Sequence, residues 1–130
     1  MARHSLFKFW AASLATLSLF TPTDCTKLWP NAGALPGIIP APCRAALTAN
    51  ITCSDFITAR EIVNDVPINS QFLKTYCTTD CRRSLQTWAT NVNTRCGNTI
   101  YNFTNATKQS GNDIAQPMLW AQNVACLAEP

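Results

Sequence analysis

The chain has 130 residues, of which 47% are hydrophobic and 13% charged, with seven cysteines and a formal net charge of +3. From Cys25 onward eight Lys and Arg face six Asp and Glu, which excludes the basic surface of a nucleic-acid or anionic-membrane binder. The single histidine, His4, lies in the leader described next. The rest of the chain therefore has no imidazole for catalysis or for a metal site.

Residues 1–23 are predicted to be a signal peptide. Arg3 and Lys8 give a positive start, and residues 9–20 form an apolar stretch of twelve residues, too short to span a bilayer. Cleavage after Ser18 or after Thr23 would each place small residues at the positions that signal peptidase usually requires. We expect a protein that is secreted to the extracellular space or cell wall, with no membrane insertion.

Residues 24–42 are predicted to be an extended Pro-rich arm. Four prolines and two glycines lie between Leu28 and Pro42, a composition that disfavours helix and central strand. Two interpretations stay open for this arm. Either it packs on the domain, or Trp29 is an exposed aromatic contact for a ligand.

Residues 43–130 are predicted to be an all-α, disulfide-stapled, cysteine-rich domain of about four short helices. Pro42 is expected to open the first helix, since a proline is tolerated where the amide has no intrahelical partner. Ser54 is the expected cap of a stretch reaching Val63, and Ser70 the expected cap of the next helix.

The strongest helix is expected from about Thr79 to Arg95, ending at Gly97. Its apolar residues follow a 3.6-residue period and form one stripe: Cys81, Leu85, Trp88, Ala89, Val92 and Cys96. Trp88 in mid-stripe is interpreted as a core residue. A last helix is expected from Pro117 to Cys126, and residues 100–103 as at most a short extended piece.

The cysteines indicate a disulfide framework, because the predicted secretory route is oxidising and the paired CxxC spacing of a zinc or iron-sulfur site is absent. We expect no metal and no cofactor. Each crosslink would stabilise the small domain by roughly 2–4 kcal/mol. Six cysteines are expected to be bonded: Cys43, Cys53, Cys77, Cys81, Cys96 and Cys126. Cys25 or Cys126 is the favoured leftover thiol, either unpaired or linking two chains.

Three acceptor motifs for N-glycosylation agree with secretion: Asn50-Ile-Thr52, Asn102-Phe-Thr104 and Asn105-Ala-Thr107. Two of them fall within six residues, so we expect residues 102–107 to form an exposed loop.

The sequence does not indicate an enzyme. A glycosidase needs two carboxylates at a set separation, and no pair has a recognisable spacing among Asp55, Glu61, Asp65, Asp80, Asp113 and Glu129. Asp80 is more simply a first-turn acid that the helix dipole favours.

The chain resembles the cysteine-rich region that lies outside the LysM domains of secreted fungal LysM proteins. The resemblance covers Pro42 to the end, and its residues are Cys43-Arg-Ala-Ala-Leu47, Cys53, Cys77-Thr-Thr-Asp-Cys81, Ser84-Leu85, Trp88, Cys96, Met118-Leu-Trp120 and Cys126-Leu127. It implies a secreted fungal protein related to carbohydrate-binding proteins. The chitin-binding unit of that family is the LysM itself, which these 130 residues lack, so no binding residue is transferred. Either the sequence is truncated, or its lineage kept the cysteine-rich module alone.

The cysteine order is also similar to that of elicitins, which are small helical sterol carriers with three disulfides. In both, a long stretch without cysteine is followed by two cysteines close together. A helix, a third cysteine and a distant last cysteine come after them. This resemblance implies bonds from Cys53 to Cys81, from Cys77 to Cys126, and from Cys96 to Cys43 or Cys25.

The leading interpretation is a secreted, non-catalytic module acting at the cell wall or host interface. Contact with chitin or another cell-wall polysaccharide would use Trp29 and Tyr101 as stacking residues. The alternatives are an elicitin-like lipid or sterol carrier, and a structural spacer that contacts an unknown protein partner.

Overall fold

A computed structural model describes residues 25–64 and 67–127. The predicted signal peptide, Asp65 and Glu129 lie outside the described residues. Within them are five α-helices and a two-stranded antiparallel hairpin: α1 (Ala41–Leu47), α2 (Ala59–Val63), α3 (Ser70–Tyr76), α4 (Thr79–Cys96), β1 (Tyr101–Asn102), β2 (Lys108–Gln109) and α5 (Gly111–Leu127). The predicted disulfide-stapled all-α class is confirmed, with one helix more than expected. No helix in the described ranges is long and apolar enough to cross a membrane.

Helix α4 is the centre of the fold and packs against α1 and α5. Thr78 caps it by accepting from the Cys81 amide, and Asp80 lies in its first turn as expected. The predicted apolar stripe is confirmed, because all six of its residues are buried. Gly97 ends the helix with φ 61°, a left-handed value that only glycine adopts without strain.

Three disulfides join α4 and its neighbours to the rest of the chain. They link Cys43 to Cys96, Cys53 to Cys81, and Cys77 to Cys126. The second and third bonds are those that the elicitin resemblance implies, and of its two alternatives for Cys96 the structure shows the bond to Cys43. Both ends of α4 are thus fixed, and the two neighbouring cysteines at the α3–α4 junction bond different distant partners. Cys25 is exposed and is the cysteine without a disulfide in the described part of the chain.

The segment before α1 is not extended throughout. A 3-10 helix spans Ala32–Ala34, and α1 begins at Ala41, one residue before the expected opening at Pro42. Leu35 and Ile39 are buried in the core, so this part of the predicted arm packs on the helices. The division into arm and domain at residue 42 remains a prediction.

The caps of the short helices α2 and α3 differ from those expected. Thr58, not Ser54, caps α2, since its hydroxyl accepts from the Glu61 amide while the Glu61 carboxylate accepts from the Thr58 amide. Ser54 lies before this helix, and its hydroxyl is 3.1 Å from that of Thr75. The cap of α3 is Asn69, one residue before the expected Ser70.

Helix α5 begins at Gly111, six residues before the expected start at Pro117. A second reciprocal cap fixes this start: the Asp113 carboxylate accepts from the Ser110 amide over 2.8 Å, and the Ser110 hydroxyl accepts from the Asp113 amide. Pro117 lies inside the helix and supplies no amide to it. The prediction failed because a proline was interpreted as a helix start, although Ser110 and Asp113 have the capping spacing.

The loop between the two strands is the exposed loop that the sequence predicts. Tyr101 pairs with Gln109 and Asn102 with Lys108, and the Phe103 amide donates to the Thr107 carbonyl over 2.9 Å. The strands are only two residues each, so residues 100–103 form the short extended piece that was expected.

Candidate functional site

Trp29, the first of the two predicted stacking residues, lies against the hairpin. Its indole stacks on the ring of Phe103, with ring centroids 5.8 Å apart and an interplanar angle of 24°. Both side chains are half-buried and pack on the core. Part of the Trp29 surface therefore belongs to the fold, and the rest is open to solvent.

Tyr101, the second predicted stacking residue, is half-buried on strand β1. Side chains alternate along an extended strand, so Tyr101 and Phe103 share one face while Asn102 points the other way. We call Trp29, Tyr101 and Phe103 the aromatic face. Sequence reasoning missed Phe103, although the alternation across residues 100–103 was its signal.

The glycan acceptors Asn102 and Asn105 are exposed next to this face. Together with Phe103 and Lys108 they line a small pocket of about 430 Å³. A glycan on Asn105 would start in the loop next to Phe103, and one on Asn102 would start on the opposite face of the strand. The glycan on Asn105 would limit the area that a flat partner can cover at the aromatic face.

The carboxylates of Glu61 and Asp113 accept hydrogen bonds from backbone amides. Hydrogen bonds from the Thr58 amide, and secondarily from its hydroxyl, hold the pKa of Glu61 below its ordinary value. The same two bonds from Ser110, again with the amide first, lower the pKa of Asp113. Both groups are exposed, and each carboxylate accepts its hydrogen bonds from the cap of its own helix.

The other described carboxylates also lie in local structural positions. Asp55 accepts from the amide of its neighbour Phe56 over 2.8 Å, and Asp80 lies in the first turn of α4. No group of three or more His, Cys, Asp or Glu in residues 25–64 and 67–127 is placed to hold a metal ion.

A second candidate site is an open groove along α4, with a volume of about 910 Å³, which we call the α4 groove. Eight of its thirteen lining residues carry a neutral hydroxyl or amide. Six of these are on the helix: Ser84, Gln86, Thr87, Thr90, Asn91 and Thr94. The other two, Asn50 and Thr52, are on the loop after α1.

Trp88 also lines the α4 groove, although it is only 3% exposed. Its indole Nε1 is buried and has no hydrogen-bond partner among the described residues. The groove is open to solvent, whereas a sterol carrier needs an enclosed apolar cavity. It therefore gives no support to the lipid-carrier alternative.

The fold and its sites define a small helical domain built on three disulfides. A family model described as the secreted LysM effector N-terminal domain matches residues 26–130, and the chain belongs to this family. This confirms the resemblance to the cysteine-rich region of fungal LysM proteins and places the protein outside the cell.

A curated relative is the "Secreted LysM effector LysM10" of Penicillium expansum. It is 27% identical over 128 residues, which cover 96% of this chain and 46% of the relative. The chain thus spans about half the length of the curated relative it matches. No solved structure gives a significant match.

Proposed function

We propose that this chain is a non-catalytic effector module that contacts chitin or another cell-wall polysaccharide through Trp29 and Tyr101. The observation that carries the proposal is the aromatic face, in which the rings of Trp29 and Tyr101 are partly exposed on the surface of a secreted LysM-effector domain. Aromatic rings offer a flat apolar surface with a polar edge. Such a surface suits the apolar face of a pyranose ring.

The non-catalytic part of the proposal rests on the carboxylates. Glycoside hydrolysis requires a protonated acid, commonly with a raised pKa, opposite a second carboxylate. The pKa shifts of Glu61 and Asp113 go in the opposite direction. Each of these two carboxylates is also bound to the backbone of the residue three positions before it.

Retention on insoluble chitin tests the polysaccharide contact. We expect the secreted protein to be retained, and Trp29→Ala and Tyr101→Ala each to weaken retention about tenfold, the effect of losing ~1.4 kcal/mol of contact. Trp120→Ala is the matched control, because Trp120 is 45% exposed on α5, outside the aromatic face.

Thermal unfolding of each variant separates lost contact from lost folding. A wild-type protein that washes off chitin would remove the carbohydrate claim and leave the non-catalytic claim in place. Release of reducing sugar from chitin by the wild-type protein would remove the non-catalytic claim.

We further propose that the secreted form is a glycoprotein that has lost residues 1–23 and carries glycans on Asn50, Asn102 and Asn105. All three acceptor side chains are exposed. The N-terminal sequence and the mass before and after enzymatic deglycosylation test this proposal. An unprocessed N-terminus or an unchanged mass would contradict it.

A further inference from the structure

The loop that forms one wall of the α4 groove is held in place from three directions. Thr26 and Ile51 exchange two backbone hydrogen bonds of 2.9 Å each. The Thr52 amide donates to the Ser84 hydroxyl on α4 over 2.8 Å. The disulfide from Cys53 to Cys81 follows directly after. Both walls of the groove are therefore fixed before anything binds in it.

Eight neutral hydroxyl or amide side chains line the groove beside three charged ones, Asp80, Arg83 and Arg95. The neutral majority suits a ligand rich in hydroxyl and amide groups. Thr90 and Thr94 donate their hydroxyl protons to helix carbonyls over 2.9 Å, which leaves their oxygens as acceptors. Asn91 lies among them and adds an amide that both donates and accepts. The volume is within the range of about 300–1,000 Å³ that is typical of ligand pockets.

The glycosylation proposed above would attach one occupant directly to the groove. Asn50 is both a lining residue and the acceptor of the Asn50-Ile-Thr52 motif. The first sugars of an N-glycan are N-acetylhexosamines, which are neutral and carry hydroxyl and acetamide groups. A glycan on Asn50 starts inside the groove, so its local concentration there is far above that of any free sugar.

We propose that the α4 groove is a binding site for N-acetylhexosamine sugars and that its occupant is the core of the glycan on Asn50. The glycan then joins the loop after α1 to the exposed face of α4. This inference rests on the proposed glycosylation of Asn50, and it does not depend on the polysaccharide contact at the aromatic face. The two proposals can fail separately.

The test compares one sequence with and without its glycan. In a background of Asn102→Gln and Asn105→Gln, the secreted, glycosylated form is compared with the same chain made unglycosylated in an oxidising bacterial host. We expect the Asn50 glycan to raise the Tm by a few degrees, since about 1 kcal/mol corresponds to ~4–8 °C in a domain of this size. We also expect it to shift amide NMR signals of α4 between Ser84 and Arg95.

Two asparagines of α4 give a matched pair of variants. Asn91 lines the groove, whereas Asn93 is exposed outside its lining. Asn91→Ala should lower the Tm gain from the glycan by half or more. Asn93→Ala should leave that gain unchanged, because it alters the same helix without touching the groove.

Three results would overturn the proposal. The first is mass spectrometry of the secreted protein that finds Asn50 without a glycan. The second is a glycan that changes only signals of residues 49–52, with an equal Tm gain in both variants. The third is chitotriose that shifts the α4 signals of both forms equally, because the groove would then be open to free sugar.

Discussion

The indole ring of Trp29 stacks on the phenyl ring of Phe103, with centroids 5.8 Å apart. This contact joins the segment before α1 to the hairpin, two regions that are far apart in sequence. An aromatic pair of this kind contributes about 0.5–1.5 kcal/mol beyond the area it buries.

A double-mutant cycle measures this contact. We expect Trp29→Ala and Phe103→Ala to show a coupling free energy of unfolding of about 0.5–1.5 kcal/mol. Trp29→Ala combined with Phe72→Ala is the control, since Phe72 stacks on Tyr76 instead. A coupling no larger than in the control would show that the stack does not stabilise the fold.

Gly111 is a position where the added methyl group of alanine should destabilise the protein. A Cβ at Gly111 would lie 2.5 Å from the Cβ of Cys96, which is fixed by its disulfide. We expect Gly111→Ala to lower the free energy of unfolding by about 1–3 kcal/mol, more than the gain in helix propensity offsets. Urea denaturation gives this value.

Gly37→Ala is the matched control, because nothing lies within 4 Å of a Cβ there. It should leave stability unchanged or raise it slightly. Equal effects of the two substitutions would contradict the close approach of α5 to α4.

Gln122 is a polar side chain buried in the core at 1% exposure. Its amide nitrogen lies 3.3 Å from the Tyr76 carbonyl oxygen and 3.3 Å from the Cys81 sulfur. We expect Gln122→Ala to cost about 2 kcal/mol or more, since it leaves a cavity and removes a partner of a buried carbonyl.

The neighbouring Asn123 is exposed, and Asn123→Ala should change the free energy of unfolding by less than about 0.5 kcal/mol. Thermal unfolding of the two variants makes the comparison. A Gln122 variant as stable as the Asn123 variant would show that this buried hydrogen bond is dispensable.

The cap formed by Ser110 and Asp113 makes stability depend on pH in the acid range. Hydrogen bonds from Ser110 lower the pKa of Asp113 in the folded state. A lowered pKa contributes stability above the unfolded value of about 3.9, and this contribution is lost as the pH falls through the folded value. The Tm of the wild-type protein should therefore decrease as the pH falls below about 4.

Asp113→Asn removes the titrating group at this cap. We expect the variant to be less stable than the wild-type protein at neutral pH. Between pH 5 and pH 2 its Tm should decrease less than that of the wild-type protein. Parallel Tm curves for the two proteins across this range would contradict a role of the Asp113 charge.

Helix α4 was predictable from sequence, because its apolar stripe repeats along the whole length and ends at a glycine. Helices α2 and α5 were placed less well. Each of these helices starts at a reciprocal cap between two residues three positions apart. The sequence prediction instead took Ser54 and Pro117 as the starting points. The disulfide pairing agrees with one of the two pairings that the elicitin resemblance implies. It could not be derived from the spacing of the cysteines alone.

The candidate sites depend on contacts that spacing does not reveal. The stack of Trp29 on Phe103 needs the segment before α1 to return to the hairpin. The α4 groove needs the loop at Asn50 to lie beside the middle of α4. Both arrangements follow from tertiary packing and disulfides, so sequence reasoning found single residues such as Trp29 and Tyr101 but not the surfaces they form.

The most direct test of the proposed polysaccharide contact follows the indole N–H signals of Trp29, Trp88 and Trp120 by NMR. Chitohexaose is added to the glycosylated, secreted protein up to millimolar concentration. Our account predicts a saturable shift of the Trp29 signal, with the signals of Trp88 and Trp120 unchanged. A Trp29 signal that stays fixed, or a shift confined to Trp120, would contradict it.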